Sequence, residues 1–178
     1  MRIKHFIKYE SPLGNLIIES NGEELTGLSF AEGGSCSGDG RGSSSPKEEW
    51  ACIEEKDAVL RETCDWLDSY FNGEIPGFMP PIHFEGTEFQ KDVWNILLEI
   101  PYGETMSYAY IAKRMAEKRG IKRMSAQAVG GAVGRNNIAI IVPCHRVIGS
   151  DGSLTGYAGG LEKKIRLLTL EKAEFREQ

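Results

Sequence analysis

The sequence predicts an α+β chain in two parts. The first is an N-terminal α/β part, a small antiparallel sheet plus a helix. The second is mostly helical and built on a winged-helix-like helix-turn-helix. Three observations carry this. Strand-like runs and turn signals crowd the first third. Helical periodicity follows, interrupted by the proline-rich stretch Ile75-Pro-Gly-Phe-Met-Pro-Pro-Ile82. The charge changes sign at that stretch: residues 1–84 carry 7 basic and 15 acidic side chains, residues 85–178 carry 14 and 11. We therefore expect domains at 1–84 and 85–178, with 74–84 as a linker that no helix or central strand would tolerate.

In the first part, Ile3–Tyr9 alternates loosely, and Ser11-Pro-Leu-Gly14 is a turn. Asn15–Glu19 and Leu25–Phe30 flank Ser20-Asn-Gly22, a hairpin signal. Residues 33–45 hold five glycines and five serines, which predicts a flexible loop with Cys36 as an exposed thiol. From Glu48 to Asn72 the reading is helix, since Ile53, Leu60, Cys64, Leu67 and Phe71 share one face. Cys52 and Cys64 then sit on that helix, Cys64 in the core.

The second part opens with Thr87-Glu-Phe-Gln90, a capping box, before a helix burying Phe89, Val93, Ile96, Leu97 and Ile100. Ser107 caps a helix to about Ala116, and a basic turn, Glu117–Lys122, follows. Ser125 caps a second short helix to about Val133, lined by Ala126, Ala128, Gly130, Gly131 and Ala132. A short helix pair of this kind suits a helix-turn-helix; plain helix packing is the alternative.

Composition excludes several classes. With 40% hydrophobic and 26% charged residues the chain is neither collagen-like nor wholly disordered. No apolar run approaches the roughly 20 residues of a membrane span, and Met1–His5 does not open a signal peptide. The four cysteines form no Cys-x-x-Cys pair, so a disulfide framework is unsupported and a cytoplasmic setting is expected. The net charge of −5 argues against nucleic acid. Within 113–146, however, Lys113, Arg114, Lys118, Arg119, Lys122, Arg123, Arg135 and Arg146 face the single acid Glu117. Local charge of this sign attracts phosphate; a solvated helix pair is the alternative.

The chemistry concentrates after the second short helix. The apolar run Ile138–Val142 should be buried, delivering Pro143, Cys144, His145 and Arg146 at its end. A neighbouring imidazole can take a thiol's proton and make a strong nucleophile. An acid can orient that imidazole. A buried inert cysteine is the competing interpretation.

Pro143-Cys-His-Arg-Val147 resembles the active-site signature of the O6-alkylguanine-DNA alkyltransferases, the methylated-DNA–protein-cysteine methyltransferases. Further matches follow in family order. They are Gly86-Thr-x-Phe-Gln-x-x-Val-Trp94, Ile100-Pro-Tyr-Gly-Glu-Thr-x-Ser-Tyr108, Ala128-Val-Gly-Gly-Ala132, Asn136, and Gly152-x-Leu-Thr-Gly-Tyr-Ala-Gly-Gly160 with Lys163 and Leu167-Leu168. They cover essentially all of residues 85–178; the first half fits in outline.

The resemblance implies a single-turnover DNA repair enzyme that flips out O6-alkylguanine and takes the alkyl group onto Cys144; it leaves O4-alkylthymine open. It implies that His145 draws the thiol proton through water and that Glu171 orients His145. Tyr108 would contact phosphate and donate a proton as guanine leaves. Asn136 would tie the recognition helix to the active-site turn. Val133, Tyr157 and Ala158 would line the substrate pocket, and the carbonyls of Cys144 and Val147 would read the guanine amino group. Ser125, Ala128, Arg135, Lys122 and Arg123 would meet DNA. Gln127 stands where the family usually has an arginine that plugs the vacated stack.

Some relatives hold zinc in the N-terminal part. The pool here is His5, His83, Cys36, Cys52 and Cys64, and the expectation is no metal and no cofactor. The expected partner is alkylated duplex DNA, with no membrane, no obligate protein partner and a monomer by default. A lesion-binding module without repair is one alternative, and Cys144 argues against it. A thiol hydrolase is the other, unsupported by the helix-turn-helix pattern.

Overall fold

The computed structural model describes residues 2–31, 50–54 and 56–177. It divides into two compact units, Met1–His83 and Phe84–Gln178. The glycine- and serine-rich stretch 33–45, with Cys36, lies outside the described residues.

In the first unit, β1 (Arg2–Ser11), β2 (Gly14–Ser20) and β3 (Leu25–Phe30) form the expected antiparallel meander. Pro12 and Leu13 turn the first hairpin. The second closes over four residues, with Asn21 Oδ1 accepting from the amides of Glu23 and Glu24 at 3.0 and 2.7 Å. A fourth strand, β4 (Trp50–Glu54), pairs parallel with β1, giving the order β3-β2-β1-β4. This corrects the helix expected from Glu48: Cys52 and Ile53 belong to a strand. The helix α1 starts only at Ala58 and ends at Phe71. Asp57 sets that start, its carboxylate accepting from Leu60 N at 2.8 Å. The seven-residue step from Ile53 to Leu60 spans this break by coincidence of spacing. Cys64 is buried on α1, as expected, beside Leu60, Leu67 and Tyr70. Those side chains pack against Leu16 and Ile18 on the same face of β2. The proline-rich stretch is irregular, but its end docks on β3: Leu25 N donates to Pro81 O at 2.7 Å and His83 N to Leu25 O at 2.9 Å.

The second unit packs α2 (Glu88–Leu98), α3 (Tyr108–Arg119) and α4 (Ala126–Gly134) together. The Thr87–Gln90 capping box is formed on α2. Trp94 is fully buried, and its indole N–H donates to Ala132 O of α4 at 2.9 Å. Ser107 and Ser125 cap α3 and α4 as expected. The basic turn is shorter than expected, because α3 continues through Arg119 to a left-handed Gly120. Lys118 and Arg119 are thereby held on Asp92 of α2 at 2.6 and 3.0 Å. Two short strands, β5 (Met106–Ser107) and β6 (Val147–Ile148), pair in parallel, and α5 (Leu161–Leu170) closes the unit.

Gly86 locks the entry to α2. A Cβ there would lie 2.6 Å from the Trp94 ring and 2.8 Å from Gln90 Oε1. The ring is pinned by its bond to Ala132 O, and Gln90 by the capping box. We expect Gly86→Ala to cost about 1–3 kcal/mol through overpacking, read as a lowered denaturation midpoint at unchanged slope.

Candidate active site

The apolar run Ile138–Val142 is buried throughout, as its composition predicts. It is a chain of tight turns, not a strand: Ile141 N donates to Ala139 O and Val142 N to Ile138 O at 2.7 and 3.1 Å. Ile140 sits at φ +68°, a left-handed conformation that a β-branched residue adopts only when its surroundings hold it there. Asn136 does part of that holding. Its amide donates to Val142 O at 2.9 Å, and its oxygen accepts from Ile138 N at 3.0 Å.

The run ends in a short 3-10 turn, Cys144–Arg146. Cys144 is 7% exposed, and burial pushes its thiol up. The Asn136 amide and the charge of Lys164 oppose that rise. His145 is fully buried, with Nε2 2.7 Å from Glu171 Oε1. Glu171, the residue after α5, is buried too. Arg146 donates to both its oxygens, Nε to Oε2 at 2.8 Å and NH2 to Oε1 at 2.9 Å, and NH1 reaches Ile100 O at 2.7 Å. Gly103 N lies 3.4 Å from Oε2. This last approach requires glycine: φ is +80°, and a Cβ would stand 2.9 Å from Glu171 O.

The charge balance follows. Arg146 and His145 hold the Glu171 carboxyl down at about 2 against its burial. Arg146 supplies the counter-charge, so His145 need not be a cation; burial, the largest influence, pulls its imidazole below the ordinary value. A neutral imidazole donating Nε2–H to the carboxylate leaves the Nδ1 lone pair free. Nδ1 is buried and has no hydrogen-bond partner among the described residues.

Tyr108 opens α3 and lines a pocket of about 440 Å³ with Gly130, Gly134, Thr155, Gly156, Tyr157 and Ala158. The Tyr157 ring lies edge-on to His145, centroids 6.5 Å apart. The structure thus gathers Cys144, His145, Glu171 and Asn136 around one turn, and Tyr108, Tyr157 and Ala158 around one pocket. Val133 is buried and is not a lining residue; Gly130 and Gly134 of the same helix are. The carbonyls of Cys144 and Val147 each already accept one bond, from Val147 N and Lys164 Nζ. Ser125, Gln127, Ala128 and Arg135 lie exposed on or beside α4, and Lys122 and Arg123 are exposed before it.

Sequence reasoning gave no site role to three groups. Arg146 carries the counter-charge. Lys164, not its neighbour Lys163, is fully buried, donating to Val147 O at 2.6 Å and Thr155 O at 3.1 Å. Burial brings its ammonium down to about 8. The signal was present: Lys164, Leu167, Leu168 and Glu171 step by 3, 1 and 3 along one buried helical stripe. Thr155 is the third, donating to Tyr108 Oη at 2.9 Å. Among the described residues no group of three or more His, Cys, Asp and Glu could hold a metal ion. His5 instead pairs with Asp57 at 2.8 Å, and His83 with Glu24 at 3.2 Å. Nor is any described helix long and apolar enough to cross a membrane.

A depressed carboxyl stabilises the fold above its unfolded value and stops doing so as pH falls through the folded one. For Glu171 the window runs from about 4.5 down to about 2. His145 is depressed as well, so its contribution is also lost on acidification, starting near the ordinary imidazole value. Stability should therefore fall from about pH 6.5 downward, with about 3 kcal/mol of the loss belonging to Glu171. Denaturant unfolding at stepped pH should show Glu171→Gln less stable at neutral pH and with a shallower acid limb below pH 4.5.

The chain is similar to known proteins over nearly its whole length. Residues 88–173 match the family model "6-O-methylguanine DNA methyltransferase, DNA binding domain", and residues 4–82 match "6-O-methylguanine DNA methyltransferase, ribonuclease-like domain". The methylated-DNA–protein-cysteine methyltransferase of Methanosarcina acetivorans is 42% identical over 167 residues, 94% of this chain and 97% of that protein. The protein of that name from Haemophilus influenzae is 39% identical over 98% of this chain and 90% of its own. The crystal structure of Mycobacterium tuberculosis OGT in complex with DNA superposes with a TM-score of 0.75 at 40% identity, covering 96% of this chain and 92% of that one. The chain belongs to the 6-O-methylguanine DNA methyltransferase family.

Proposed function

We propose that this chain repairs alkylated DNA directly, moving the alkyl group from guanine O6 to its own Cys144, once per molecule. The observation that carries this is the buried Cys144–His145–Glu171 turn, in the same unit as a pocket walled by Tyr108 and Tyr157. Family membership and relatives named for the same chemistry support it.

In this reading His145 Nδ1 takes the thiol proton through one water. Sγ bonds to the alkyl carbon as the carbon–O6 bond breaks, and the electron pair stays on the purine. The purine takes a proton from Tyr108 Oη, and the tyrosinate recovers one from solvent. Neutral guanine is a far better leaving group than its anion, which makes this proton transfer worth supplying. Glu171 keeps the imidazole in the tautomer with Nδ1 free. The thioether has no route back, so the count stops at one.

The target atom lies inside the duplex stack, so the base must be flipped out. The exposed face of α4, Ala126, Gln127, Ala128, Gly131, Gly134 and Arg135, is low enough to enter a minor groove. Lys122, Arg123 and Arg135 would take phosphates. The C-terminal domain thus holds both the DNA face and the acceptor. The chain acts as a cytoplasmic monomer without metal.

Intact-mass measurement after incubation with a duplex bearing one O6-methylguanine should show one added methyl, mapped to Cys144 and absent in Cys144→Ala. A bound duplex with no mass gain would point to lesion binding without repair. The methyl enlarges a side chain that is 7% exposed, so the alkylated chain should melt about 2–8 °C lower. Gln127→Arg should bind duplex more tightly and steepen the salt dependence by about one.

A further inference from the structure

We propose that Thr155 is a positioning residue for this reaction: its hydroxyl fixes the direction in which Tyr108 presents its proton. The proposal rests on the alkyl-transfer reading above and deepens it. Thr155 Oγ1 donates to Tyr108 Oη at 2.9 Å, and both residues line the pocket. A phenol has one proton and two lone pairs. With a lone pair occupied by the Thr155 hydroxyl, the Tyr108 O–H is directed away from Thr155 and toward the rest of the pocket. The same contact stabilises negative charge building on Oη as the proton departs. It also opposes the upward push that burial gives the phenol.

Thr155 is itself well placed to serve as an anchor. Its carbonyl accepts from Lys164 Nζ at 3.1 Å, and that ammonium also holds Val147 O at 2.6 Å, three residues from the nucleophile. Leu154, immediately before it, is buried against Ile148 and Leu168. The backbone of residue 155 is therefore tied to the strand that follows the Cys144 turn. The proton donor and the nucleophile share one scaffold through Lys164. A pocket filled by a base excludes water, and the Thr155–Tyr108 bond then matters more than it does in the open pocket.

The test uses the full chain and a duplex with one O6-methylguanine. Thr155→Val, which keeps the shape and removes the hydroxyl, should slow single-turnover transfer at saturating duplex about tenfold with unchanged duplex affinity. Thr155→Ser should restore the rate. In a Tyr108→Phe background Thr155→Val should add no further loss. Labelling of Cys144 by iodoacetamide, which needs no proton on a purine, should be unaffected. Transfer by Thr155→Val at the wild-type rate overturns the proposal. So does an equal loss in the Tyr108→Phe background, or iodoacetamide labelling slowed by the same factor. Failure of the underlying reading is distinct, because the wild-type chain itself would then gain no methyl.

Discussion

The second unit is organised around one buried carboxylate. Glu171 accepts from His145 and twice from Arg146, and Arg146 spends its remaining nitrogen on Ile100 O. Three segments far apart in sequence meet there: the end of α2, the Cys144 turn and the end of α5. Burying a charge is costly unless it is paired and fully hydrogen-bonded. The forked guanidinium achieves both, because its planar geometry matches the two carboxylate oxygens. Lysine in place of Arg146 could not reach the carboxylate and Ile100 O with the same fixed fork. Removing one partner would leave the other charge buried and unpaired, which is the costly case.

That arrangement sets the electrostatics around Cys144. A thiol beside a histidinium would ionise readily. Here Arg146 balances the carboxylate, and burial disfavours both the histidinium and the thiolate. In the proposed reaction each molecule acts once, and a standing thiolate would be lost to any passing electrophile. The free lone pair of His145 and the partly opposed rise of the Cys144 thiol would let ionisation accompany substrate binding in that reaction. Lys164 adds positive charge near Cys144, with burial bringing its ammonium down to about 8. It serves mainly as a tether between two backbone carbonyls.

Much of this was legible in the sequence where local rules act alone. Thr87, Ser107 and Ser125 each cap the helix that their spacing predicted, because a cap needs only its own turn. The Cys-His pair and Glu171 were legible through family motifs. The β4 strand was not, because residues 50–53 continue the apolar step of α1 and only pairing with β1 decides their conformation. Lys164 and Arg146 were hidden for a related reason. A charged residue on a buried stripe reads as an exposed one until its partners are known, and those partners are a backbone carbonyl 17 residues away and a carboxylate 25 residues away. Thr155 stands in a family motif, but its role lies in a contact across 47 residues that no local pattern marks.

The α4 surface follows from the same economy of space. Trp94 requires a close approach of α2 and α4, and Ala132 provides it on the inner face. On the outer face Gly131 and Gly134 have nothing within reach of a Cβ, so packing does not demand glycine at either position. Glycine in a helix interior costs about 1 kcal/mol relative to alanine, and α4 carries two such residues, Gly130 and Gly131, with Gly134 at its end; a Cβ on Gly130 would lie 3.8 Å from the Tyr108 ring, an ordinary contact. A helix that sacrifices stability for a low profile on its solvent side is shaped for something other than its own fold. Gly130 and Gly134 line the pocket together with Tyr108. In the proposed reaction, small residues there would leave room for a base arriving from the α4 side. Gln127, at the start of that face, is then the first long side chain that a duplex would meet.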